Sequence, residues 1–180
     1  MTVQLHIRAA APSDWEAISA LHVAASAAAY AHILDAHYLS VTIVGEKRRL
    51  WQERLVTDAD PAARKIMVAE AGGTLAGFAC LLRDHEPEWG VYLHNLYTDA
   101  RWRGLGVART VLSAAIRELS EIDLARPLHL KALALNAPAR AIYDKWGGVV
   151  VETLQQDFPG SPAVDVVRYQ WPSAKALLRS

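Results

Sequence analysis

Arg103-Gly104-Leu105-Gly106 lies between an apolar run of strand character and an apolar run of helical period. Glycine is poor inside either element, so two of them beside an arginine point to backbone left bare for an anion. The first turn of a helix has unpaired N–H groups and the positive end of its dipole. Glycine lets an anion approach them, and Arg103 adds a full charge. Phosphate is the expected ligand class. A nucleotide P-loop would need Gly-Lys followed by Ser or Thr, which is absent here, and a dinucleotide fingerprint would need a third glycine where Arg109 stands.

Such a cradle needs a strand that delivers the chain to the glycines and a helix that leaves from them. "GVYLHNLYT", rich in β-branched and aromatic residues, supplies the strand. From Gly104 the period changes, and Leu105, Ala108, Leu112, Ala115, Ile116 and Leu119 share one face of a helix about four turns long. Upstream, "VQLHIRAA" alternates Val3, Leu5 and Ile7 with polar residues, as a half-buried strand does. Ser13-Asp14-Trp15-Glu16 has the spacing of a capping box, so a helix is expected from near Ser13, with Ile18, Leu21 and Ala25 on its buried face. Ala27 to Val56 reads as broken helices. "KIMVAEA" and "LAGFACLLR", joined at Gly72-Gly73, read as a hairpin. Downstream, Arg126-Pro127 precedes the strand "LHLKALAL". Asn136-Ala137-Pro138 opens a short helix through Trp146 that Gly147-Gly148 ends, and "VVVETLQQDF" with "AVDVVRYQW" forms a last strand pair. This order of elements is an α+β arrangement around one mixed sheet, in a single domain spanning residues 1–180.

Composition narrows the function classes. Nineteen Lys and Arg against nineteen Asp and Glu leave formal net charge zero, so no broad field would gather nucleic acid or an anionic membrane, and any anion site is local. The single cysteine, Cys80, cannot form an internal disulfide and reads as a small core side chain in a reducing compartment. No signal-peptide pattern or bilayer-length apolar run occurs, so a cytoplasmic protein is expected. The histidines have no spacing with acids or cysteines that specifies a metal site, and no metal is expected.

The chain resembles the GNAT family of N-acetyltransferases, whose acyl-CoA motif reads Arg/Gln-x-x-Gly-x-Gly/Ala. Arg103-Gly104-Leu105-Gly106-Val107-Ala108 fits every specified position. "LHNLYT" occupies the place of the family's fourth strand, and Asn136, Ala139 and Tyr143 keep the spacing of its Asn-x-x-Ala-x-x-x-Tyr helix. The resemblance covers nearly the whole chain. It implies a three-layer α/β/α fold whose mostly antiparallel sheet splays between its fourth and fifth strands. It also implies acetyl-CoA as co-substrate, and a dimer through the last strands. Pantetheine would lie against the backbone of Leu96, Tyr97 and Thr98. The pyrophosphate would rest on the N–H groups of Arg103, Gly104, Leu105, Gly106, Val107 and Ala108. Asn136 would hydrogen-bond the pantetheine arm, and Tyr143 would face the thioester sulfur. Attack by an amine creates an oxyanion and then a thiolate. A free N–H near Leu96 could meet the first and the Tyr143 hydroxyl the second.

The amine must first lose a proton, because an ammonium of pKa ~10 has no lone pair. In the polyamine-acetylating branch of the family the fourth strand resembles Tyr-Leu-Glu-Asp, whereas this chain has Tyr92-Leu93-His94-Asn95. Loss of both carboxylates argues against a polyamine. His94, with a reference pKa of ~6.5, is the first choice of base, and Glu86 and Glu88 are weaker ones. Its loss should then matter most near neutral pH. Tyr30, Glu88 and Tyr92 are the expected acceptor-binding residues, with Tyr38, Trp51 and Trp89 at the pocket's border. Structural readings stand beside these: glycines that ease a tight turn, Asn136 as a helix cap, Tyr143 as a core aromatic, His94 as a satisfied strand histidine. The acceptor is expected to be a primary amine of a small molecule or amino-acid-like metabolite. A protein or peptide amine is the alternative, and a non-catalytic acyl-CoA-binding module is a third.

Overall fold

The computed structural model describes residues 4–178, so Val3 of the first strand reading lies outside the described residues. Strand β1 (Leu5–Ala9) pairs antiparallel with β2 (Arg64–Ala71), and β2 turns through Gly72 and Gly73, at φ 58° and 76°, into β3 (Thr74–Leu82). Two successive positive φ values suit the tight hairpin read from the sequence. Helix α1 (Trp15–Tyr30) starts after a 3₁₀ turn at Pro12–Asp14. The Ser13–Glu16 box does not form. Asp14 instead accepts from the Ala11 amide at 2.6 Å and from Arg8 at 2.7 and 2.9 Å, while Glu16 accepts from Arg48. The Arg8 guanidinium on β1 holds Asp14 where it reaches back to the chain's entry into the turn, and that sets the start of α1.

The broken region resolves into helix α2 (Ile43–Gln52) between two π-helical turns, Tyr38–Thr42 and Glu53–Thr57. Strand β4 (Val91–Thr98) runs antiparallel to β3. Helix α3 (Val107–Arg117) has 11 residues and starts later than its periodicity suggested, because Gly104 and Gly106 take φ 76° and 79° and stay outside it. A short helix α4 (Glu121–Ala125), capped by Ser120, precedes β5 (Leu128–Leu133). Helix α5 (Ala137–Lys145) ends at left-handed Gly147, where the Gly148 amide donates to the Tyr143 carbonyl at 2.9 Å. Strands β6 (Val149–Gln156) and β7 (Val164–Trp171) close the chain.

The seven strands are ordered β1-β2-β3-β4-β5-β7-β6, with only β4 and β5 parallel. Alternation sends successive residues to opposite faces. Met67, Ala69, Ala79 and Leu81 pack with Val111, Leu112 and Ile116 of α3. Val68, Phe78, Cys80 and Leu82 pack with Ile18 and Leu21 of α1 and with Trp51 and Leu55. The sheet is thus the middle of three layers, and burying a side chain such as Phe78 contributes about 1.5–3 kcal/mol.

Two features open this sheet. At the base, Gly90 has φ 95° and a Cβ there would stand 2.0 Å from the Pro127 carbonyl oxygen; the Val91 amide donates to that oxygen at 2.8 Å. This pinches β4 and β5 together, and their registered pairs are only Val91–Leu128 and Tyr92–His129. Higher up, Cys80 pairs with Asn95 but Leu81 with Leu93, so His94 is an extra residue on β4. Such a bulge bends its strand, and β4 leaves β5 at this point.

Candidate functional site

Above the bulge, Leu96, Tyr97 and Thr98 are half-buried on a strand edge with no registered partner in β5. The Thr98 hydroxyl and the Trp102 indole N–H are buried there without a hydrogen-bond partner. The chain then passes a 3₁₀ turn at Ala100–Trp102 and reaches Arg103, Gly104, Leu105 and Gly106, all exposed. At Gly104 and Gly106 a Cβ would meet nothing within 4 Å. Their glycine identity therefore answers to backbone angle, not crowding. The first bond of α3 runs from the Thr110 amide to the Gly106 carbonyl at 3.0 Å, so the amides of its first turn, Val107 and Ala108 included, have no carbonyl four residues back. An open turn with spare N–H groups, an αL glycine on each side of Leu105 and an exposed arginine beside it is suited to an oxyanion.

On the other arm of the opening, Asn136 caps α5, its side-chain oxygen accepting from the Ala139 amide at 3.4 Å. Its amide NH₂ keeps both hydrogens for another acceptor. Tyr143 lies two turns further on, packed among Trp146, Tyr169 and Trp171 at ring-centroid distances of 6.2, 5.5 and 6.4 Å. Burial first, then the nearby Tyr97 and Tyr169 hydroxyls, push the Tyr143 phenol well above its ordinary pKa. Tyr97 also acts on Tyr30 of α1, whose pKa is raised by it and by burial, so three phenols from β4, α5 and α1 gather at the fork.

Across the sheet from the glycine turn is a cavity of about 170 Å³, walled by α1, α2, β4, β5 and the β6–β7 connection. Tyr30, Tyr38, Tyr92 and His94 line it. Glu88 does not: it sits exposed in the turn Pro87–Trp89, outside the cavity. Trp51 is also elsewhere, wholly buried in the core, and Trp89 lies under the Arg168 guanidinium at 4.3 Å. Glu86, the other acid of that loop, accepts from Lys131 at 2.6 Å and from Arg168 at 2.5 Å. Burial alone would raise its pKa, but these two cations bring it down to about 2, too weak a base for an amine.

His94 is changed more by its surroundings than its residue type suggests. Desolvation, then the Arg54 charge, lower its pKa to about 4. Arg54 donates to Asn95 Oδ1 at 3.0 Å, which fixes that atom as the acceptor; His94 Nδ1 lies 2.7 Å from the same oxygen and 3.3 Å from the Arg54 guanidinium, and the shorter contact assigns the hydrogen to Nδ1. The Nε2 lone pair is left for the cavity. Arg54 itself stacks over Trp51 at 5.3 Å and makes no ion pair among the described residues.

Sequence reasoning missed His22, Lys47, Lys131 and Asn95 in the lining. One signal was available for His22: it is an ionisable residue on the apolar stripe Ile18-Leu21-Ala25, and it is 4% exposed. Lys47 stands in the charged run "EKRR" and nothing local distinguishes it from its neighbours. Among the described residues no group of three or more His, Cys, Asp or Glu is placed to hold a metal ion.

Residues 28–148 match the model of the acetyltransferase (GNAT) family. The chain is 28% identical over 150 residues to the L-amino acid N-acetyltransferase AaaT of Escherichia coli, covering 80% of this chain and 82% of that protein. In fold it is similar to the PaiA N-acetyltransferase of Thermoplasma acidophilum in complex with coenzyme A, with a TM-score of 0.73 at 19% identity over 93% of this chain and 99% of that one. It is also similar to YncA of Salmonella typhimurium with its cofactor acetyl-CoA, with a TM-score of 0.66 at 17% identity over 93% of each chain.

Proposed function

The chain belongs to the acetyltransferase (GNAT) family and is an N-acetyltransferase, and from that premise we propose that it moves the acetyl group of acetyl-CoA directly onto the primary amine of a small, amino-acid-like metabolite. One observation carries this reading: the β4–β5 opening joins an exposed glycine turn with spare amides at one side to a walled cavity at the other. The residues present fit the co-substrate. Arg103, Gly104, Leu105, Gly106, Val107 and Ala108 hold the diphosphate; the edge of Leu96, Tyr97 and Thr98 takes the pantetheine amides, with the unpartnered Thr98 hydroxyl beside them. Asn136 donates its spare amide hydrogens to the same arm, and Ala139 keeps that side of α5 low. When bound, acetyl-CoA supplies an acetyl group activated as a thioester.

The chain's own groups do the rest. The raised pKa of Tyr143 keeps its hydroxyl protonated, so it can donate to the departing sulfur. His94 Nε2, neutral and unprotonated, accepts a hydrogen bond from the amine and orients its lone pair; as the C–N bond forms and the C–S bond breaks, the nitrogen gives up its surplus proton, which restores the Tyr143 hydroxyl, so the amide and the coenzyme A thiol leave with the enzyme unchanged. Tyr30 and Tyr92 wall the cavity, and the Tyr92 ring is itself fixed by stacking on His129 at 4.6 Å. Leu34, Tyr38 and Phe158 are among its lining, and a volume of about 170 Å³ suits a small acceptor better than a peptide. The name of the Escherichia coli relative, an L-amino acid N-acetyltransferase, supports the same class.

The test is release of coenzyme A thiol from acetyl-CoA across a panel of amines, repeated with Tyr143→Phe. We expect turnover with small amines and not with peptides. In the variant, turnover falls at least about tenfold while coenzyme A affinity changes less than about twofold. Equal turnover by the variant would remove the tyrosine's role, and preference for peptide amines would overturn the small-molecule reading.

A further inference from the structure

Seventeen residues line the cavity and none is Asp or Glu. Two are lysines. Lys131 is already engaged by the Glu86 carboxylate at 2.6 Å. Lys47 is different: half-buried on α2, it makes no ion pair or hydrogen bond among the described residues, and Glu46, the acid whose charge acts on it, accepts from the Tyr38 hydroxyl at 3.0 Å. A half-buried ammonium with no contacting counterion carries a desolvation cost that the Glu46 charge offsets only in part. Burial indeed draws its pKa down.

His22 adds a directed donor to the same wall. The Trp51 indole N–H can only donate, and it lies 3.1 Å from His22 Nδ1, so Nδ1 is the acceptor and the neutral ring carries its hydrogen on Nε2. Burial first, then the charges of Lys47 and Arg54, keep that ring neutral. The α1–α2 wall therefore presents an ammonium and an N–H donor, while the β4 wall presents the His94 Nε2 lone pair. The lining also includes an apolar set, Leu34, Ile43, Leu133, Phe158 and Val166, beside polar residues such as Ser26 and Gln156.

We propose that the acceptor is an α-amino acid with an apolar side chain, that Lys47 and the His22 Nε2–H bind its carboxylate, and that the apolar wall takes its side chain. This rests on the acetyl-transfer reading above and names the substrate class of that site. An α-amino acid has its amine and its carboxylate on one carbon, which matches a lone pair on one wall and a cation with a donor on the other. A diamine would bring a second ammonium to a lysine that no carboxylate contacts among the described residues.

The experiment compares kcat/KM for L-leucine, L-leucinamide, 3-methylbutylamine and L-glutamate with the full chain and acetyl-CoA. L-leucine should exceed the other three by at least about tenfold, mainly through KM. Lys47→Met should collapse the preference for L-leucine over 3-methylbutylamine, and Lys47→Arg should keep it. Calorimetry with coenzyme A shows that each variant is folded and loaded. Equal rates for L-leucine and L-leucinamide, or a preference that survives Lys47→Met, would overturn the proposal and leave the acetyl-transfer reading standing. A wild-type chain that binds no coenzyme A and acetylates none of the four would instead remove that reading, and this proposal with it.

Discussion

His94 shows how far a residue's surroundings can move its chemistry. Its ordinary pKa near ~6.5 suggested a base that titrates around neutrality, but desolvation and the Arg54 charge bring it to about 4. The ring is then neutral from about pH 5 upward and cannot strip a proton from an ammonium whose pKa is ~10. Its part in the proposed reaction is to accept a hydrogen bond from an amine that has already lost its proton. The sign follows: between pH 6 and about 9 the rate should rise with the neutral fraction of the acceptor, with no inflection near 6.5. His94→Gln should lower it about tenfold at every pH without altering the profile's shape. A break near pH 6.5 that vanishes in the variant would return His94 to the role of titrating base. Tyr143 is shifted in the opposite direction in consequence: its raised pKa keeps the donor hydrogen in place across the same range.

At the scale of elements, the opening in the sheet comes from three local devices in one stretch of chain: the Gly90–Pro127 pinch, the bulge at His94, and the two left-handed glycines before α3. Gly106→Ala separates conformation from crowding. Its φ is 79° and a Cβ would meet nothing within 4 Å, so any cost comes from the left-handed backbone, about 1–2 kcal/mol. The variant should unfold a few degrees earlier and bind coenzyme A about tenfold more weakly, as melting curves and calorimetry would record. Unchanged coenzyme A affinity would show that this turn is not the diphosphate's seat. The turn was legible in the sequence because its determinants are contiguous: glycine positions, the period change after them, and the Asn136–Tyr143 spacing all act within one element. Helix ends were less legible. Ser13 and Glu16 had the spacing of a box, but Arg8, from another element, recruited Asp14 instead.

The whole molecule is formally uncharged, yet its cavity has lysines and no acid in its lining. That contrast could not be read from the chain, because His22, Lys47, Lys131 and Phe158 come from four separate segments that only the sheet order brings together. Composition excluded a broad basic field and left open a local one. The same assembly underlies the proposed reaction: the glycine turn and the cavity lie on opposite sides of one opening, so with a diphosphate on the first and an amine in the second the acetyl group would pass straight between the two substrates. No side chain needs to carry it. The most direct measurement is mass spectrometry of product and intact protein during turnover with acetyl-CoA and L-leucine. The account predicts an N-acetylated product while the protein's mass stays unchanged. A stoichiometric acetyl group on the protein that is chased into product would contradict it.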